Sequence, residues 1–271
     1  MEPPDLSYFY YTIFTLSILG NGLVLFVLIK FDRACTVNNI LMSNLVASNL
    51  VFTCTLPIWA VYQDREWTFG PALCKLVGAT TYVGFHSSVL FLTLVTIHRY
   101  LAVVHAVAMH NQQHKNRYAV VASVVVWLTC GLAGVAPLTR YKVSQNWNCV
   151  DDLDPSWKPF IIYLHFVAFF LLPLVVVVYC YVRIIITVVF ARMSGKHRTL
   201  LIVFIILVLF FACWAPRSIL QVVNKQSFSC RTLGYTSYIT KKIAYLYFCI
   251  NPVFYVFLKR KFKDYVCGLP L

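Results

Sequence analysis

The sequence predicts an all-α membrane protein, a bundle of seven transmembrane helices followed by a short amphipathic helix near the C-terminus. Composition is the first reason. Of 271 residues, 60% are hydrophobic and only 12% charged, where an ordinary globular domain carries roughly 25% charged residues. A soluble core of this length could not hide so much apolar surface, so lipid has to solvate part of it. The second reason is a train of seven apolar runs, at residues 8–29, 38–62, 73–104, 116–137, 159–190, 199–223 and 233–258. Each meets the ~20 residues a helix needs to cross a bilayer. The third is that all nine acidic residues fall outside those runs. Backbone amides find no partner in hydrocarbon, so each run must be helical.

Taken in order, every run carries a polar or helix-bending feature. The first holds Asn21 between two glycines; it is too long for a signal peptide and lacks a small-residue cleavage site, so it reads as a true span. The second holds Asn49, then Thr55-Leu56-Pro57 and Trp59. The third holds Tyr82, His86 and Ser88 and ends in His98-Arg99-Tyr100. The fourth holds Trp127, and the fifth His165, Pro173 and Tyr181. The sixth carries Cys213-Trp214-Ala215-Pro216 with Arg217 after it. The seventh carries Lys241, Lys242, Tyr245 and Asn251-Pro252-Val253-Phe254-Tyr255. Beyond it, residues 259–267 set Phe262 and Val266 four apart among basic residues, as a helix lying on a membrane surface would. Cys267 is either a palmitoylation site or a plain free thiol.

The formal charge of +14 would suggest nucleic acid in a soluble protein, but the placement of the charges argues against that. Lys30, Arg33, Lys115, Arg117, Arg192, Lys196, Arg198 and the run from Lys259 to Lys263 share one side of a seven-span chain. The positive-inside rule makes that side cytoplasmic and the N-terminus extracellular. Glu2, Asp5, Asp64, Glu66, Asp151, Asp152 and Asp154 then face outward, where a basic extracellular partner matches them. Ionisable groups inside a membrane are costly and default to functional hypotheses, although any one of these polar features alone can be a helix contact. His86 and His165 read as hydrogen-bonded helix contacts, and no spacing suits a metal. No cofactor is implied. Catalysis is not expected, because no paired carboxylates or nucleophile–base pair lie inside the runs. Inverted repeats and charged paths, the marks of transporters and channels, are also lacking.

Seven such features, one per run and in this order, resemble the signature set of rhodopsin-like G-protein-coupled receptors from Gly20 to about Phe262. Asn251-Pro252-x-x-Tyr255 and Cys213-Trp214-x-Pro216 are the most specific of them. The resemblance implies that span six pivots at Pro216 beside Trp214, that Arg99 engages a heterotrimeric G protein, and that Tyr181 and Tyr255 assist. It also implies a disulfide between Cys74 and Cys149, a plasma-membrane location, and leaves a receptor dimer open.

Within that family, Thr55-Leu56-Pro57 with Trp59, Trp67-x-Phe69-Gly70, and His105-Ala106-Val107 are similar to chemokine receptors. Thr96-Ile97-His98-Arg99-Tyr100-Leu101 and Lys241 resemble the XC-type branch. The resemblance implies a basic chemokine that docks on Glu66, Asp151 and Asp152 and inserts an end among Trp59, Tyr82, Trp214, Lys241 and Tyr245. An inhibitory-type G protein would couple inside. A receptor for another peptide, or a decoy, is the rival reading. For Arg217 and Lys241, contact with an acidic ligand group and snorkelling toward the interface both remain open. Three departures from the pattern stand out. Asn49, with Ser88 nearby, replaces the aspartate of a sodium site, His98 replaces the acid that clamps Arg99, and Lys196 begins span six where a locking acid sits in some members. Together they predict raised basal activity. The family's long acidic N-terminal tail and C-terminal phosphosites are not in this sequence, and Cys230 lacks the tail cysteine as partner. A shortened chain and a naturally minimal receptor both fit.

Overall fold

A computed structural model describes residues 6–31, 36–105, 112–190, 197–223 and 230–258. The helices are α1 (Leu6–Phe31), α2 (Val37–Thr53), α3 (Leu56–Asp64), α4 (Gly70–Val104), α5 (Gln112–Arg140), α6 (Lys158–Phe166), α7 (Leu172–Phe190), α8 (His197–Val222) and α9 (Cys230–Leu258). Two three-residue strands, β1 (Tyr141–Val143) and β2 (Cys149–Asp151), pair antiparallel with Tyr141 opposite Asp151 and Val143 opposite Cys149. Among the described residues, five helical stretches are long and apolar enough to cross a membrane: Ser7–Lys30, Val37–Gln63, Gly70–Val104, Asn116–Arg140 and Lys158–Val188. Val208–Val222 is a shorter apolar helical stretch. The amphipathic segment 259–267, with Cys267, lies outside the described residues.

The chain forms two compact units, Met1–Phe91 with Asn116–Trp157, and Leu92–Lys115 with Lys158–Leu271. In the first, α2 stops and α3 starts afresh at Cys54–Thr55. Pro57 has no N–H to give to the preceding turn, so the helix cannot run through. Thr55 heals the break: its backbone N–H and its hydroxyl both donate to the Phe52 carbonyl, at 3.0 and 2.7 Å. Close backbone approach also shapes this unit. A Cβ on Gly84 of α4 would lie 2.5 Å from the Phe52 backbone nitrogen, and one on Gly78 would strike the Tyr141 ring at 2.6 Å. Small residues are what let membrane helices come this near. The buried centre at one end comprises Trp67, Cys74, Val77 and Cys149, with Ile58, Trp59, Tyr62, Leu73, Tyr141 and Val143 packed on it.

In the second unit α8 packs along α9, and α6 and α7 are joined through one turn of π-helix, Val167–Leu171. That wide turn sits just before Pro173, whose missing N–H and ring disturb the ladder of the preceding residues. Pro216 bends no such break into α8, which continues as helix on both sides of it.

Candidate functional site

In the first unit a closed chain of polar side chains joins α1, α2 and α4. Ser88 Oγ donates to Asn49 Oδ1 at 2.7 Å, and Asn49 Nδ2 donates to Asn21 Oδ1 at 3.1 Å. Asn21 Nδ2 donates in turn to the Ser17 carbonyl and hydroxyl, at 2.9 and 3.1 Å. The Ser17 and Thr53 hydroxyls lie 2.7 Å apart, and Thr53 donates to the Asn49 carbonyl at 2.7 Å. Ser17, Asn21, Asn49, Thr53 and Ser88 are all buried. The amide of Asn49 spends its oxygen on Ser88 and turns a donor toward Asn21, and among the described residues no carboxylate faces the cluster. This donor set does not fit a sodium ion. A second link runs from α5 to α2: Trp127 Nε1 donates to Asn44 Oδ1 at 2.8 Å, and Asn44 Nδ2 reaches Ser123 Oγ at 3.3 Å.

Above the α2–α3 break, Trp59 Nε1 donates to Thr81 Oγ1 at 3.0 Å, and Thr81 donates to Thr55 Oγ1 at 3.1 Å. The proline break and the Trp59 orientation are thus one hydrogen-bonded unit. Tyr82 is stacked on His86, with ring centroids 3.8 Å apart, and the Tyr82 carbonyl accepts from His86 Nδ1 at 2.7 Å. Trp67 is wholly buried, among Trp59, Tyr62 and Phe69, with its indole N–H donating to the Gly70 carbonyl at 2.7 Å.

Cys74 and Cys149 are joined by a disulfide that ties α4 to β2. The hairpin carries two ion pairs of its own. Arg140 holds Asp151 with two nitrogens, at 3.0 and 3.2 Å, and Lys142 holds Asp152. Two of the three acids expected to meet a ligand therefore already have partners, while Glu66 is exposed and has no ion pair among the described residues. Burial pushes the Tyr141 phenol up to about 12, and the Asp151 carboxylate adds to the shift.

The second unit holds the other half of the expected residues. Trp214 is buried against Phe210 and Phe248, and Phe210 makes an edge contact with Tyr247 at 4.9 Å. Arg217 Nη1 donates to Ser237 Oγ at 2.7 Å, which links α8 to α9. Lys241 Nζ lies 5.9 Å over the Tyr245 ring, and Lys242 Nζ lies 4.4 Å over Tyr238. Half-buried His98 and Arg99 lie near the end of α4. Arg99 is within electrostatic reach of Tyr181, whose buried hydroxyl has no hydrogen-bond partner among the described residues. Tyr100 reaches the His105 ring nitrogen at 3.0 Å and stacks near Tyr179. Asn251, Pro252 and Tyr255 lie in α9, with side chains outside the described residues, as are Lys196 and the Cys230 side chain. Among the described residues no three His, Cys, Asp or Glu side chains gather as metal ligands.

A family profile described as "7 transmembrane receptor (rhodopsin family)" matches residues 20–255. The chain is 35% identical to human chemokine XC receptor 1 over 265 residues, 95% of this chain and 78% of that protein. It is 30% identical to C-C chemokine receptor type 8 of Macaca mulatta over 276 residues, 96% of this chain and 77% of that protein. The chain belongs to the chemokine receptors of the rhodopsin family. Such receptors signal and do not catalyse. Sequence reading missed several members of the receptor's polar links: Ser17, Thr53, Asn44, Ser123, Tyr62 and Thr81. Their signal was present as polar residues one helical turn apart, Ser17 with Asn21 and Asn49 with Thr53, on apolar helices.

Proposed function

We propose that this receptor binds a basic chemokine on the extracellular face that carries the Cys74–Cys149 bridge, and activates an inhibitory-type heterotrimeric G protein on the opposite face. Identity over nearly the whole chain to two receptors named for chemokines carries the reading. Seven spans place the N-terminus outside and the Lys- and Arg-rich segments inside. Trp59, Tyr82, Trp214, Arg217, Lys241 and Tyr245, with Glu66, Asp151 and Asp152, are the ligand-responsive residues in this reading. His98, Arg99, Tyr100, Tyr181, Pro216, Asn251, Pro252 and Tyr255 form the switch, in which Pro216 is the hinge and Arg99 the group that meets the G protein.

The polar chain through Asn49 and Ser88 supports a further element: a core already satisfied without a cation, so that sodium exerts no restraint. His98 cannot clamp Arg99 as a carboxylate would. Both favour raised basal activity. The test is G-protein nucleotide exchange on a panel of chemokines, with and without ligand. A chemokine response that disappears in Arg99→Ala is expected, together with basal exchange that falls in His98→Asp. Chemokine binding without exchange would make the protein a decoy, and binding of no chemokine would move it to another peptide ligand.

A further inference from the structure

At the tip of the β1–β2 hairpin, backbone and side chain make opposing demands. Trp147 donates its N–H to the Ser144 carbonyl at 3.0 Å, and Ser144 donates to the Asn148 carbonyl at 2.9 Å. Closing the turn this way leaves Trp147 at φ 52°, and no other described non-glycine residue has a positive φ. Hairpin turns with a left-handed step favour Gly or Asn there, and other L-residues cost roughly 1–2 kcal/mol. Asparagines stand on both sides of it, at 146 and 148, yet the indole holds the strained position. Burial does not offset that cost, because Trp147 is 60% exposed. Neither backbone preference nor a core accounts for the residue, and strain held at an exposed position points to a contact made with something else.

The tip is also held stiffly. The Trp147 carbonyl accepts from the Trp67 backbone N–H at 2.8 Å, Tyr62 donates its hydroxyl to Asn148 Oδ1 at 3.1 Å, and Cys149 is bridged to Cys74. Trp67 is itself immobilised by complete burial. Stiffness of this kind lowers the entropy lost when an aromatic side chain binds a partner. The bond from Trp67 to Trp147 brings the residue before Trp67 alongside the tip, and that residue is Glu66. With Asp151 and Asp152 engaged by Arg140 and Lys142, Glu66 is the acid next to this bond that has no ion pair among the described residues. An exposed indole on a tip whose backbone is bonded to the residue after an exposed carboxylate suits a guanidinium or ammonium group, which a ring face and a negative charge both attract.

We propose that Trp147 is the anchor by which the receptor grips an arginine- or lysine-bearing loop of its protein ligand, with Glu66 pairing the same cation. This rests on the chemokine-binding reading above, which supplies a basic protein on this face. Labelled XC- and C-C-class chemokines are titrated onto cells expressing the full chain, its variants Trp147→Asn, Trp147→Phe and Glu66→Gln, and Trp157→Ala. Trp147→Asn keeps a side chain that tolerates the left-handed backbone, so surface expression is retained while affinity falls roughly ten-fold or more. Trp147→Phe recovers part of the affinity, and Glu66→Gln weakens binding and flattens its salt dependence. Trp157→Ala, which removes an indole 62% exposed on ordinary backbone, leaves affinity unchanged. Should Trp147→Asn fail to reach the surface, Trp147→Gly, which relieves the backbone fully, supplies the same comparison. Equal affinity of wild type and the Trp147→Asn or Trp147→Gly chain overturns the anchor and leaves the chemokine reading intact. Binding of no chemokine by the wild-type chain overturns both.

Discussion

Tyr181 carries its hydroxyl into a buried position, 4% exposed, where it has no hydrogen-bond partner among the described residues. An unsatisfied buried hydroxyl costs about 1–3 kcal/mol. In the function proposed above another state of the receptor uses it, and Arg99, within its electrostatic reach, is the group that changes surroundings on activation. Tyr181→Phe is therefore expected to raise thermal stability in detergent, by about 1 kcal/mol, and to reduce G-protein activation. A lower melting temperature would mean that the hydroxyl is satisfied in the resting receptor. Asn49 presents the converse case, a buried polar group with both ends engaged. Asn49→Asp turns a donor into an acceptor opposite Asn21 Oδ1, at a cost of about 1–3 kcal/mol without a cation. It also supplies the charge a cation needs. Melting in sodium chloride against choline chloride at equal ionic strength is expected to show no difference for the wild type and a sodium-dependent rise for the variant. A wild-type rise in sodium would defeat the assignment of a cation-free core.

The helices of this receptor follow from hydropathy, and their irregularities follow from prolines only in part. Pro57 coincides with the break between α2 and α3, since a residue without an N–H removes one bond from the ladder. Nothing in the sequence distinguishes Pro173, preceded by a π turn, from Pro216, which lies inside a continuous helix. Glycines behave in the same way. Gly84 and Gly131 look alike in sequence, but a Cβ on Gly84 would press on the Phe52 backbone while one on Gly131 would meet nothing within 4 Å. Gly84→Ala is expected to destabilise the receptor by about 1–3 kcal/mol, because the obstructing atoms are backbone and cannot rotate away. Gly131→Ala is expected to be neutral or slightly stabilising, as the helix gains propensity. Thermal melting of the two variants side by side checks the contrast, and equal effects would overturn it.

Across the whole molecule, the disulfide is the one covalent link between distant parts of the described chain, joining residues 75 apart. Closing a loop of that length in the unfolded state favours the folded receptor by about 4 kcal/mol on the chain-entropy estimate. Cys149→Ser is accordingly expected to cost several times more surface expression than loss of the exposed Arg140–Asp151 pair, tested as Arg140→Gln, since ion pairs at that exposure contribute about 0–1 kcal/mol. Comparable surface levels for the two variants would show that the hairpin, and not the bridge, holds this end of the receptor.

By itself the sequence determined the helical membrane class of the fold and the family. Each of those depends on what a single residue can or cannot do in lipid: an apolar run must be helical, and a buried amide must find a partner. Tertiary structure decided the partners. It set Asn49 between Asn21 and Ser88, gave Asp151 and Asp152 to Arg140 and Lys142 through the hairpin register, and bonded Trp67, the residue after Glu66, to a strained Trp147. A partner is a relation between positions far apart in the chain, fixed by packing distance and strand register, and hydropathy and spacing carry no record of either.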